Sequence, residues 1–238
     1  MTYEDFINNL TRKLKLAHAP VAIAFLEDAP PGIRHYDEAV PSACAFWKAA
    51  ESALFYATAE DHYNCPIGAI TQGFQIPQPV AANARSLIEM MGKLSYLEAA
   101  EADNVPTVEK QHRIVVYGPL KDFGEIQPDV VLLICTPLQA MMISEAGGVA
   151  AWGSGVESRT LGRPACAAIP SSLKSGTTTV SMACMGARTF AAIKEEELLV
   201  AIPASALARL VRQLPIILDA NVNLKQFYET RKSNFATV

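Results

Sequence analysis

Four cysteines stand where their neighbours leave room for chemistry. Cys166 follows Arg163-Pro164-Ala165, and Cys184 leads into Met185-Gly186-Ala187-Arg188, with a Thr/Val/Ser-rich run between the two. An echo lies earlier in the chain, from Pro41-Ser42-Ala43-Cys44-Ala45 to Cys65-Pro66-Ile67-Gly68-Ala69. Gly and Pro beside a thiol favour specially shaped or exposed backbone. Thiolates are soft ligands, so Cys44, Cys65, Cys166 and Cys184 together point to an iron–sulfur cluster, of the 4Fe–4S type, or to zinc. No two of them form a close Cys-x-x-Cys pair, so their convergence depends wholly on tertiary structure. Two alternatives stand beside this one. Cys184 or Cys65 could act as the nucleophile of a metal-free thiol enzyme. The cysteines could also simply pack as small hydrophobes in a module that binds a small molecule. Cys135 lies inside a continuous apolar run and reads as core.

Other side chains could join the site. His62 lies three residues before Cys65 and could ligate a metal or polarise a thiol, against a surface role. Arg188 follows Cys184 closely and could hold an anion or a thiolate, while Gly68 and Gly186 give a bound group close access to the backbone. Gly147-Gly148 and Gly153-Ser154-Gly155 lack the spacing of phosphate-binding loops and read as plain loops. His18, His35 and His112 show no partner pattern, and Trp47 and Trp152 read as core.

The elements that would position these residues are legible from apolar patterning. Val21–Leu26, Ile114–Tyr117, Val130–Cys135 and Leu198–Ile202 are strand-length apolar runs, and Thr177–Ala183 has the β-branched content of a strand. Helices are expected from Thr2 to Ala17, Phe46 to Ala59, Asn83 to Leu94, Pro137 to Gly147 and Ala204 to Gln213, with a separate last helix over 219–232. Ile76-Pro77-Gln78-Pro79 reads as a turn. Residues 20–94 and 129–214 share an order: apolar run, alanine-flanked cysteine, second cysteine, Gly-Ala, aromatic, Ile-Pro, amphipathic helix. The expectation is one α/β (or α+β) domain over residues 1–238, built from two similar halves with a mixed sheet, its cysteine pairs brought together by a pseudo-two-fold axis.

Composition narrows the function. The chain has 238 residues, half of them hydrophobic and 18% charged, with a net charge of −4. No basic run or basic helix face is present, so nucleic acid is not an expected partner. No apolar segment approaches the roughly 20 residues that span a bilayer. The first residues lack the charged-then-apolar pattern of a signal peptide, so the expected location is the cytoplasm, where thiols stay reduced. A small molecule, a redox protein or a second copy of the chain are the partners left open.

The run of Ala43-Cys44-Ala45-Phe46, Cys65-Pro66-Ile67-Gly68-Ala69, Cys166-Ala167-Ala168-Ile169 and Ala183-Cys184-Met185-Gly186-Ala187-Arg188 resembles domain-of-unknown-function family 169, the ArCR family. Pro20-Val21-Ala22 and Glu197-Leu198-Leu199-Val200-Ala201-Ile202-Pro203 resemble it too. The resemblance spans about residues 5 to 215. It implies that the cysteines are the family's distinguishing residues and supplies no reaction.

Overall fold

The computed structural model describes Ile7 and residues 9–149 and 160–235. The loop at Gly153-Ser154-Gly155, Trp152 and the start of the expected first helix lie outside these residues. The fold is α/β. One mixed sheet of eight strands runs in the order β2-β3-β4-β1-β5-β8-β7-β6. The strands are β1 (Val21–Leu26), β2 (Arg34–His35), β3 (Phe55–Thr58), β4 (Ile114–Pro119), β5 (Val130–Cys135), β6 (Thr160–Leu161), β7 (Thr179–Ser181) and β8 (Leu198–Pro203). The helices are α1 (Cys44–Ala49), α2 (Pro66–Thr71), α3 (Gln78–Lys93), α4 (Ala99–Ala102), α5 (Pro137–Gly147), α6 (Ala168–Ser175), α7 (Met185–Phe190) and α8 (Ala204–Phe235).

At the centre β1 pairs antiparallel with β5, with Val21 opposite Leu132. Outward from that pair the flanks run β4, β3, β2 on one side and β8, β7, β6 on the other. On each flank the outermost junction, β2 with β3 or β6 with β7, is parallel and the inner ones are antiparallel. The first flank takes in β4, which lies beyond residue 94, where the first of the two expected units stops. Ile202-Pro203 ends a strand, whereas Ile76-Pro77 leads into helix α3.

The central strands are buried on both faces, which is why they read as continuous apolar runs. Strand alternation then sorts their side chains between two cores. Ile23, Phe25, Val115, Tyr117, Leu132, Ile134 and Ala201 face one, with Cys44, Phe46, Trp47, Cys166 and Ala187. Ala22, Ala24, Val116, Val131, Leu133, Cys135 and Val200 face the other, with Leu10, Leu14, Ile143 and Leu210. Helix α5 starts on a capping box, in which Thr136 Oγ1 accepts from Gln139 N and Gln139 Oε1 accepts from Thr136 N. It ends at Gly148, whose φ of 81° suits only glycine without strain.

Three expectations are corrected. The helix expected over Phe46–Ala59 stops at Ala49, because Phe55-Tyr56-Ala57-Thr58 pairs with β4 as an edge-side strand. Gln78-Pro79 opens helix α3 instead of forming a turn, since Pro is tolerated in a first turn. The two expected C-terminal helices are one, α8, which runs through Pro215. Pro215 lacks one N–H, but Leu207, Leu210, Leu214 and Leu218 stay buried on a single stripe on either side of it.

Candidate functional site

All four candidate cysteines belong to segments that cover the first core face of the sheet. Cys44 opens α1, and Cys166 sits in the short turn Ala165–Ala167 that leads into α6. Cys65 and Cys184 immediately precede α2 and α7. The pairs cross between the flanks: α1 packs on α7, and α2 packs on the turn that carries Cys166. Cys44 and Cys166 are buried, while Cys65 and Cys184 are half-buried, Cys184 packing against the core. No cysteine among the described residues is in a disulfide.

The two buried thiols sense the cysteines around them. Burial pushes the Cys44 thiol well above its ordinary range, and the charges of Cys166, Cys184 and Cys65 push it further. Cys166 is raised to about 12 by burial and by Cys65 and Cys184, against a lowering influence of Thr71, whose hydroxyl donates to the Ile67 carbonyl at 2.7 Å. Ser42 donates its hydroxyl to Cys65 Sγ at 3.5 Å, and its influence on the Cys44 thiol works against burial. Cys135 is pushed to about 12 by burial and by Glu197, but it faces the opposite side of the sheet, as expected for a core residue. Among the described residues, no three His, Cys, Asp or Glu side chains converge in the manner of ligands to a single metal ion.

The two glycines flank the sulfurs. A Cβ on Gly68 would stand 2.7 Å from Ala43 Cβ and 2.9 Å from Cys65 Sγ, so α1 and α2 touch there only because the residue is glycine. A Cβ on Gly186 would lie 3.9 Å from Cys184 Sγ, an ordinary contact. Arg188 is committed elsewhere. Its guanidinium donates to the Lys194, Met182 and Glu197 carbonyls and ties α7 to the approach of β8. Glu197 in turn accepts from Lys194 N at 3.0 Å and pairs with His18 at 3.2 Å.

His62 is fully buried. Its Nδ1 lies 2.6 Å from the Thr58 carbonyl and its Nε2 3.0 Å from the Tyr117 hydroxyl. A carbonyl only accepts, so Nδ1 carries the proton and Nε2 accepts from Tyr117. Burial lowers the His62 pKa to about 4, against the Thr58 hydrogen bond and Asp61, so the ring is neutral at pH 7. Tyr117 is buried too, and burial together with Cys44, Cys166 and Cys65 holds its pKa well above the ordinary value. A buried neutral Tyr–His pair thus lies against the thiols. The surface role expected for His62 is thus corrected, since the ring is fully buried; Tyr117 gave no signal, because only the strand register brings it there.

A groove of about 850 Å³ lies elsewhere, between residues 12–15, α5 and α8, with Arg12, Lys15, Leu138, Val222 and Tyr228 in its lining. No cysteine lines it.

Fold and site together define an α/β protein in which segments on one face of the sheet carry two buried and two half-buried cysteines. The chain belongs to domain-of-unknown-function family 169, uncharacterised ArCR, whose model matches residues 9–213. It is similar to an uncharacterized protein of Methanocaldococcus jannaschii, 30% identical over 201 residues, covering 79% of this chain and 82% of that one. No solved structure matches the chain.

Proposed function

We propose that Cys44, Cys65, Cys166 and Cys184 hold an iron–sulfur cluster and that the protein serves a redox role in the cytoplasm. What supports this is the nearness of thiols drawn from four separate segments, close enough for Cys65, Cys166 and Cys184 to raise the Cys44 thiol and for Cys65 and Cys184 to raise Cys166. Each thiolate makes the next harder to form, so four of them coexist only around a cation. A bound metal reverses that balance and releases the thiol protons. A multi-metal cluster bonds its thiolates to different metal atoms. The spread of the thiols suits this better than one zinc ion, whose bonds of about 2.3 Å draw all four sulfurs together. The crossed pairing of segments from the two flanks supports the idea that the halves are copies of one unit, each giving two ligands.

A second reading rests on Cys65 and Cys184, which are half-buried beside two buried thiols, as the reactive cysteines of a metal-free enzyme. Anaerobic purification with iron, zinc and sulfide analysis separates the two. Bound iron with visible absorbance is expected in the parent and in Cys135→Ser, and a sharp loss in Cys184→Ser. Equal metal content in the parent and both variants would overturn the thiolate site and favour the second reading.

A further inference from the structure

The long helix α8 outruns the core it helps to cover. It packs along α5, where Asn221 Nδ2 donates to Glu145 Oε2 at 3.1 Å. From Val222 to Lys232 every residue is exposed. Val222 is 56% exposed, Leu224 49% and Tyr228 57%, and Leu138 on α5 is 62% exposed. All four line the groove of about 850 Å³ between residues 12–15, α5 and α8. Single exposed apolar side chains are ordinary, but several gathered along one concave surface indicate a binding site. The volume falls within the range of about 300–1,000 Å³ usual for small-molecule sites.

The walls of the groove are held by specific ties. Gln139 Oε1 accepts from Thr136 N, which orients the carboxamide. Its Nε2 then donates to the Leu14 carbonyl at 2.7 Å and the Lys15 carbonyl at 3.2 Å. Leu10 and Leu14 are buried in the core beneath. Residues 12–15 are thereby fixed to α5, as Asn221 fixes α8, and a ligand meets walls already in place. The rim is basic. Arg12, Lys13, Lys15, Lys225 and Lys232 line it against Asp219 and Glu229, five charges against two in a chain of net charge −4. Lys225 pairs with Glu229 at 3.8 Å on the exposed helix surface, a weak contact. Arg12, Lys13, Lys15 and Lys232 form no ion pair among the described residues.

We propose that this groove binds a small anionic amphiphile, a carboxylate or phosphate head on an apolar, acyl-like tail. The tail lies along Leu138, Val222, Leu224 and Tyr228 and removes their surface from water. The head meets the cations of residues 12–15 and α8. A purely polar anion would leave the apolar floor wet, and a neutral tail would leave the cations unanswered. The groove lies on the α5–α8 side of the sheet, opposite Cys44 and Cys166, so it is independent of the thiolate site.

The test is calorimetric titration of the full chain with decanoate below its micellar concentration. Decyl glucoside, with the same tail and no charge, and vesicles of phosphatidylglycerol are titrated in parallel, and sedimentation gives the oligomeric state. The variants are Leu138→Glu and the doubles Arg12→Gln/Lys15→Gln and Lys174→Gln/Lys194→Gln, with urea midpoints confirming that each is folded. Lys174 is exposed on α6, which covers the opposite face of the sheet. Decanoate should bind one to one and far more tightly than decyl glucoside. Arg12→Gln/Lys15→Gln should weaken it about tenfold, the scale of one charged hydrogen bond. Leu138→Glu, which sets a carboxylate in the floor, should abolish binding, and Lys174→Gln/Lys194→Gln should match the parent. Absence of decanoate binding would overturn the inference, as would equal affinity for decyl glucoside or equal weakening in the two double variants. Binding to vesicles alone would assign the face to a membrane surface and overturn it. A dimer that Leu138→Glu dissociates, with no decanoate bound, would assign the groove to a second copy of the chain and overturn it too.

Discussion

Replacing Tyr117 with Phe isolates the buried Tyr–His pair beside the thiols. The change removes one oxygen and keeps the ring, so it opens no side-chain-sized cavity. The ring still stacks on Phe46, with centroids 5.4 Å apart and planes 20° apart, and still lies 5.7 Å from Phe55. What is lost is the hydroxyl donor to His62 Nε2, 3.0 Å away. Nε2 is then left in the core with no donor. Protonation cannot rescue it at pH 7, since burial holds the ring near a pKa of about 4. Losing a neutral hydrogen bond and stranding a buried acceptor costs about 1–3 kcal/mol. Urea denaturation of the metal-free protein at pH 7 should show a lower midpoint with an unchanged slope, the signature of altered stability without altered exposed surface. A Tyr117→Phe protein within about 0.5 kcal/mol of the parent, the range of an ordinary surface change, would refute the account of the pair as a satisfied buried network.

Acid should destabilise the fold through His62. Its pKa is about 4 when folded and 6.5 when unfolded, so the unfolded chain binds more protons between those values and stability falls as pH drops through that window. From pH 7 to pH 5 the loss should be about 2 kcal/mol. His112, also lowered by burial, adds to it, whereas His35, raised mainly by its hydrogen bond to Asp61, works the other way. The comparison is best made in a His35→Gln background, where a protein more stable at pH 5 than at pH 7 would contradict it. Alkylation of the metal-free protein followed by mass spectrometry should label Cys65 and Cys184 first, with Cys44, Cys166 and Cys135 slower by about tenfold or more. Early labelling of Cys135 would contradict its burial beneath α5 and α8.

The legible parts of this chain are those fixed by burial alone. Val21–Leu26, Val130–Cys135 and Leu198–Pro203 are covered on both faces, so nothing interrupts their apolar runs. Phe55–Thr58 was hidden because it follows a helix closely and owes its strand to pairing with β4. The break expected near Pro215 was misplaced because packing on both sides outweighs one missing hydrogen bond. Glycine, proline and order singled out four cysteines in segments on one face of the sheet, and strand parity separates Cys135 from them: Val131, Leu133 and Cys135 share the face turned away. Tyr117, Trp47 and Gln72 left no trace of that kind. A tyrosine in a strand, a tryptophan in a short helix and a glutamine at its end are ordinary residues in sequence. What marks the last two is a missing partner in a dry core, a property of the assembled fold alone. The same dryness lifts Cys44 and Cys166 far from ionisation. A thiol held in that state packs as a neutral group, and it is the assembled fold, not the neighbouring residues, that holds it there.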